Sequence, residues 1–364
     1  MKITPINTIT TQTAKTSFKS KTILKPKTVG RMLETTMAAT AVYGIAQINK
    51  KEEKSPFIET KNGENIVSIK LNSKGKEEYR TIIKPSKIAG EYDITQTFPN
   101  GKKKILYSAK QNKSGVFDIQ KDFVSPNGLR TLYKKSGTDD DYQMSYIIKD
   151  NNGQVKLNYT RSFKKLDNDT TESIVNGKKH INTFGILGVE SINQDNPDDK
   201  NFMIVNWLFE DNMKKLPAEI FYCIGKNKIR ILEDNYGNEN NACVSGHLLK
   251  LSTELRNDFF VFAHEVGHIK SDELGDLAKD EELQKIFEQE REEALGNLGK
   301  VLQEEADYFL MHPYRLREVI AETYAILSGL SHNDVKSCLG MRTNILMQYF
   351  PKTITYIANR FYKE

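Results

Sequence analysis

Between about residue 57 and residue 183, apolar and polar positions alternate, as in Lys104-Ile105-Leu106-Tyr107, Thr131-Leu132-Tyr133 and Val155-Lys156-Leu157-Asn158-Tyr159. A period of two sends successive side chains to opposite faces of a strand. Gly63, Gly75, Gly101, Gly128, Gly153 and Gly177 punctuate the pattern, and the last four follow Asn. Asn-Gly flanked by such alternation predicts a β-hairpin. These four glycines stand 27, 25 and 24 residues apart, which fits a unit of two strands and two turns repeated as an antiparallel meander. Such a sheet must bury one face, against the rest of the chain, on itself or on a second copy.

From about residue 198 the pattern turns α+β. Asn212 to Tyr222 predicts a helix leading into the strand Ile229-Arg230-Ile231-Leu232, and an Asn- and Gly-rich loop runs from Asp234 to Asn241. The segment around Cys243 to Leu251 has strand character, and two placements stay open for it: a sheet edge, where an extended peptide can add as one more strand, or an ordinary interior strand. The apolar run Phe259-Phe260-Val261-Phe262-Ala263 opens a helix that Asn257 or Asp258 caps. Residues 272–305 are acidic and helix-prone, with Leu283, Ile286, Phe287, Ala294, Leu298 and Leu302 at helical spacing and the glutamates on a solvated face. Pro313 to Gly329 predicts a further helix. Met341 to Lys363 reads as helix broken near Pro351.

Two of these helices carry chemistry. His264-Glu265-Val266-Gly267-His268 spells HExxH, and residues four apart lie on one helix face, so two imidazoles can share a zinc ion while Glu265 reaches a water beside it. A catalytic zinc ordinarily takes a third protein ligand. The HExxHxxGxxH pattern does not supply one, because Ser271 and Leu274 stand where its glycine and third histidine belong. Glu318 and Glu322, four apart and beside Ala321 and Ala325, are the candidates, since small alanines let the two helices approach closely. The alternative is a solvated face with these glutamates paired to Arg315 or Arg317.

HEVGH followed by Arg317-Glu318-Val319-Ile320-Ala321-Glu322-Thr323-Tyr324-Ala325 resembles the gluzincin metallopeptidases, in particular the catalytic domain of anthrax lethal factor and the Pro-Pro endopeptidases, over about residues 200–364. The resemblance implies a zincin-like α+β metallopeptidase domain with His264, His268 and Glu318 as zinc ligands and Glu265 as general base. It also implies a preference for proline near the scissile bond. Glu322 is then a supporting carboxylate that orients a ligand histidine. The interval of 50 residues from His268 to Glu318 is similar to that of lethal factor. The family's catalytic tyrosine, seven residues before the ligand glutamate, is replaced by Met311. Tyr314, one turn before Glu318, is the candidate to stabilise the oxyanion, with Tyr308 and His312 as alternatives.

Composition adds bounds. Net charge is +5 with 28% charged residues and a mean hydropathy of −0.57, so a membrane-embedded protein is not expected. Seven basic residues from Lys2 to Arg31 precede the first acid, Glu34, reading as a disordered tail or a targeting arm. The apolar run Met37–Ile48 is too short to span a bilayer and too far along the chain for an ordinary signal peptide. A cytoplasmic location and export without such a signal both stay open. Cys223, Cys243 and Cys338 form no CxxC, so buried free thiols are expected. The reading is therefore a disordered or targeting tail (1–56), an antiparallel β-repeat domain (57–183) and a zincin-like metallopeptidase domain (198–364). Its function is that of a zinc endopeptidase acting on a protein or peptide, with no nucleic-acid partner and no transmembrane segment. Two rivals remain: a β-repeat protein that binds a partner or surface beside a degenerate metallopeptidase domain, and a regulatory metallopeptidase that cleaves a repressor.

Overall fold

A computed structural model describes residues 55–185, 188–193, 200–204, 214–233, 242–246, 248–251, 258–312, 315–330 and 339–362. The basic N-terminal arm, the Met37–Ile48 run, Cys338 and Tyr314 lie outside these residues. Alternation builds the first half: strand β6 (Phe117–Val124) buries Phe117, Ile119, Lys121 and Phe123 and turns Asp118, Gln120 and Val124 outward. Among the described residues thirteen strands, from β1 (Phe57–Asn62) to β13 (Lys200–Ile204), pair antiparallel, each with its neighbours in sequence. Gly101, Gly128, Gly153 and Gly177 each close every second hairpin, which accounts for the spacing near 25 residues. At the last of these, Asn176 and Gly177 both hold positive φ, 49° and 88°, the pair of left-handed residues that a two-residue hairpin requires. The meander does not stop near 183: it continues through β12 (Gly188–Asn193) and β13, so the change to α+β comes later in the chain than its pattern predicts.

Among the described residues eight α-helices follow, interrupted by a small sheet. Helix α1 (Ala218–Lys226) starts after Pro217 and leads into β14 (Arg230–Glu233), while Asn212, where the pattern begins the helix, lies outside the described residues. The segment from Cys243 to Leu251 is a hairpin of β15 (Ala242–Ser245) and β16 (Leu248–Leu251), with β16 central between β14 and β15. Cys243 is exposed on this strand while Cys223 is buried, so only one of the two described thiols meets the expectation of burial. Helix α2 (Phe259–Glu273) carries HExxH, and Asp258 caps it by accepting from the backbone N–H groups of Phe260 and Val261 at 3.1 and 3.2 Å. The acidic insert folds as α3 (Glu281–Asn297) and α4 (Lys300–Glu305), then α5 (Asp307–Leu310). Helix α6 (Arg315–Leu327) carries the paired glutamates, and the chain ends on α7 (Leu339–Tyr349) and α8 (Pro351–Tyr362), parted at Phe350.

Not all of the insert's glutamates are solvated. Glu290 is fully buried and accepts from the N–H groups of Lys352 and Thr353 at the start of α8, each at 2.9 Å. A carboxylate there satisfies donors that a helix start leaves unpaired.

Residues Ser55–Glu364 form one compact unit. One hydrophobic cluster runs from Ile119, Tyr146 and Phe163 on the large sheet to Val319, Ile320, Leu346 and Ile357 on the helices. The segments expected as a β-repeat domain and a metallopeptidase domain thus share a core, and the sheet hides its inner face against α6, α7 and α8. At the centre of this contact the sheet caps α6. Tyr159 and Arg161, on β9 (Val155–Lys165), donate to the Leu327 carbonyl at 2.8 Å each, and Tyr142, on β8 (Asp141–Lys149), donates to Ser328. The Arg161 guanidinium also meets the Glu219 carboxylate of α1, which accepts from Ser173 at 2.8 Å. A cation at a helix C-terminus satisfies its last carbonyls and opposes its dipole. Among the described residues, no helix is long and apolar enough to cross a membrane.

Two stability outcomes follow. Arg161→Met strands the buried Glu219 charge and is expected to cost roughly 3–5 kcal/mol in urea unfolding, whereas Arg161→Met/Glu219→Leu recovers most of the loss. A Cβ on Gly267 would lie 2.7 Å from the Ala321 Cα, while one on Gly296 meets nothing. Gly267→Ala is therefore expected to destabilise by about 1–3 kcal/mol, and Gly296→Ala to stabilise by up to about 1 kcal/mol, both read by thermal melting.

Candidate metal centre

The site begins with a backbone contact. Gly267 sits between the two motif histidines, and without a side chain it lets α2 lie against Ala321 of α6; a Cβ would also come within 3.0 Å of the Tyr324 Cβ. The separation is small enough for carboxylates on α6 to meet imidazoles on α2. His264 and His268, one turn apart, hold their rings 5.0 Å apart and nearly perpendicular. Glu318 Oε2 lies 3.2 Å from His264 Nε2 and 3.7 Å from His268 Nε2. One nitrogen from each imidazole and one Glu318 oxygen fall within 4.8 Å of one another. These three groups could hold a divalent cation between them.

Glu322 takes the other side of His264, with Oε2 3.3 Å from Nδ1, and its Oε1 accepts from Thr343 of α7 at 2.9 Å. A carboxylate on Nδ1 fixes which ring nitrogen carries hydrogen there and turns Nε2 towards Glu318. Arg315 and Arg317 do not pair with these glutamates. Arg315 reaches Glu288 at 2.6 Å, and Arg317 bonds Asp276. The solvated-face alternative for Glu318 and Glu322 therefore does not describe this helix.

Charge is unevenly held. Burial opposes a proton on His264, but the hydrogen bonds to Glu318 and Glu322 outweigh it and raise the imidazole to about 10. Burial also opposes the Glu318 charge, yet His264 and Tyr308 hold its carboxyl down at about 2. Burial and the charged His264 lower His268 to about 4. Glu265 is lifted to about 7 by burial and by Glu318, against the pull of His264 and a hydrogen bond from the Val244 N–H. One imidazolium thus stands among three carboxyl groups. That surplus of acid, with imidazole nitrogen and carboxylate oxygen as donors, suits a divalent metal of borderline softness.

The Val244 hydrogen bond places Glu265 beside β15, which with β14 forms the two edges of the small sheet among the described residues. Of the aromatic candidates, Tyr308 on α5 donates its hydroxyl to Glu318, its ring covered by the Arg342 guanidinium at 4.3 Å. Burial and Glu318 push its phenol well above the ordinary value, so it stays protonated. His312 packs against Tyr308, with ring centres 5.3 Å apart. Met311, at the position where the resembling family has its tyrosine, is 63% exposed. Tyr314 lies outside the described residues.

His264, Glu265, His268, Glu318 and Glu322, all marked by the two motifs, meet at this one place. Thr343, Arg342 and the Val244 N–H also belong to it, and no motif marks them. They come from another helix and from a backbone group, for which local sequence carries no signal. Compared with known proteins, this chain is matched by no family model, no curated protein and no solved structure.

Proposed function

We propose that this chain is a zinc-dependent endopeptidase that hydrolyses an extended protein or peptide substrate. The observation that carries the reading is the convergence of both HExxH imidazoles and the Glu318 carboxylate, with Glu265 close by but free of that ligand set. His264, His268 and Glu318 would hold the ion, and Glu322 with Thr343 would orient His264. Zinc, when bound, supplies the Lewis acidity that polarises a carbonyl and acidifies water.

The chain's own groups account for the remaining steps. Glu265, poised near neutrality, takes a proton from the attacking water and hands it to the leaving amine, as a general base that becomes a general acid. Among the described residues Tyr308, kept protonated, is the hydroxyl at the cluster, and it would donate to the oxygen on which charge develops by turning from Glu318. Among the described residues β15 stands at an edge of the small sheet, and its outer side would offer backbone groups to an extended peptide, lying beside Glu265 as one more strand. A peptide held this way presents its scissile bond to the base without demanding a particular side chain.

Purified protein is expected to hold about one zinc per chain by elemental analysis, and Glu265→Gln to retain it while peptide cleavage falls roughly 10²–10⁴-fold. Retained cleavage in Glu265→Gln would refute the assignment of the base. For the ligands, Glu318→Ala should abolish stoichiometric zinc, whereas Glu322→Ala should weaken affinity by about 10–100-fold. The opposite order in a chelator competition would exchange the two roles.

A further inference from the structure

A cavity of about 50 Å³ lies between the first strands of the large sheet and the helices. β3 (Glu77–Pro85), β4 (Tyr92–Thr97) and β5 (Lys103–Gln111) form one side, and α3, α4 and α7 the other. This is several times the roughly 10–15 Å³ that one water requires. Most of its buried wall is aliphatic, made by Ile83, Ile94, Leu106, Leu298, Met341 and Ile345.

Asn344, on α7, interrupts that wall with a carboxamide. It is 2% exposed, and among the described residues neither its Nδ2 nor its Oδ1 has a hydrogen-bond partner. Ser68, the other buried polar side chain on the wall, is already committed, its hydroxyl donating to Glu59 at 2.9 Å. A buried polar group without a partner lowers stability, and native folds keep few of them. Asparagine is also a weaker helix former than leucine. Neither packing nor helix formation therefore accounts for an amide at position 344. Water can bridge the amide, but the aliphatic wall around it gives further waters few partners.

The lining also decides the charge of a guest. Among the described residues no Asp, Glu, Lys, Arg or His lines the cavity, and burial keeps the phenols of Tyr79 and Tyr349 protonated. An ionised guest would find no counter-charge there, and burying one unpaired is costly. Nδ2 donates and Oδ1 accepts side by side, so the complementary edge carries an acceptor beside a donor, as a carboxamide does.

We propose that this cavity binds a small neutral carboxamide, its polar edge paired head to tail with Asn344 and its short aliphatic tail against Ile83, Ile94 and Ile345. The site is independent of the proteolytic reading and shares no residue with the metal cluster. α7 also carries Thr343, which bonds Glu322, so the guest would rest on the helix that braces the carboxylate beside His264.

Methyl NMR signals of Ile83, Ile94 and Ile345 in the full chain report the site directly. Propionamide is expected to shift these three and to saturate with a dissociation constant on the order of 1–10 mM. 2-Butanone has the same shape but accepts without donating, and should bind at least about fivefold more weakly. Propionate should be at least about tenfold weaker than propionamide. Asn344→Thr, close to asparagine in volume, should erase the preference for propionamide over 2-butanone. If that variant melts early, Asn344→Leu, which fills the space with a better helix former, should abolish saturation by all three and hold or raise the melting temperature. N-acetylglutamine N-methylamide carries the same carboxamide on a peptide backbone that a cavity of this size cannot admit, and should not displace propionamide. Displacement would overturn the assignment to a free small molecule. The proposal also fails if propionamide gives no saturable shift up to about 100 mM, which would leave water as the occupant, or if the three probes bind alike. A preference for propionamide that survives Asn344→Thr would overturn it too, since the amide would then pair elsewhere.

Discussion

The approach of two helix backbones at Gly267 and Ala321 is the constraint on which the site rests. An imidazole and a glutamate each reach only a few ångströms from their helix, so the helices must nearly touch before both can address one point. A Cβ at Gly267 would stand 2.7 Å from the Ala321 backbone, and moving α6 away to make room would carry Glu318 from His264 and His268. The glycine inside HExxH is therefore a packing requirement rather than a matter of helix propensity, in which it is unfavourable.

The large sheet holds the far end of the same helix. Tyr142, Tyr159 and Arg161 satisfy carbonyls at the end of α6, and Arg161 joins them to α1 through Glu219. Glu318 and Glu322 thus project from a helix fixed at one side by α2 and at its C-terminus by β8 and β9. The meander, which its alternation presents as a separate module, serves as the platform of the candidate centre. Buried charge recurs across this contact. Lys121 lies over Tyr107 and Tyr133 near Glu91, and Lys135 lies over Phe117 and Tyr142. Burial lowers Lys135 to about 8, yet the aromatic faces give its ammonium a partner in the interior.

The acidic insert shows how charge patterning reads well on average and poorly at single positions. Most of its glutamates are exposed or paired at the surface, as Glu288 is with Arg291 and Arg315. Glu290 differs from them by nothing in its local sequence, yet it is buried because α8 brings unpaired N–H groups to it. Pro351 signals where that helix begins, but not that its first turn faces a carboxylate from α3.

Sequence alone determined what depends on neighbours a few residues away. Period-two alternation and Asn-Gly turns specify the hairpins, and Asp258 and Gly329 mark helix ends. Four-residue spacing sets His264 with His268, and Glu318 with Glu322, on single faces. Tertiary structure decided what depends on distant segments arriving at the same place. It paired Glu322 with His264 and Thr343, set Tyr308 against Glu318, and turned Val244 towards Glu265. It also made one core of sheet and helices. The physical reason is that backbone periodicity is a local property of the chain, whereas hydrogen bonds between elements and the shielding of charge exist only after packing has brought those elements together.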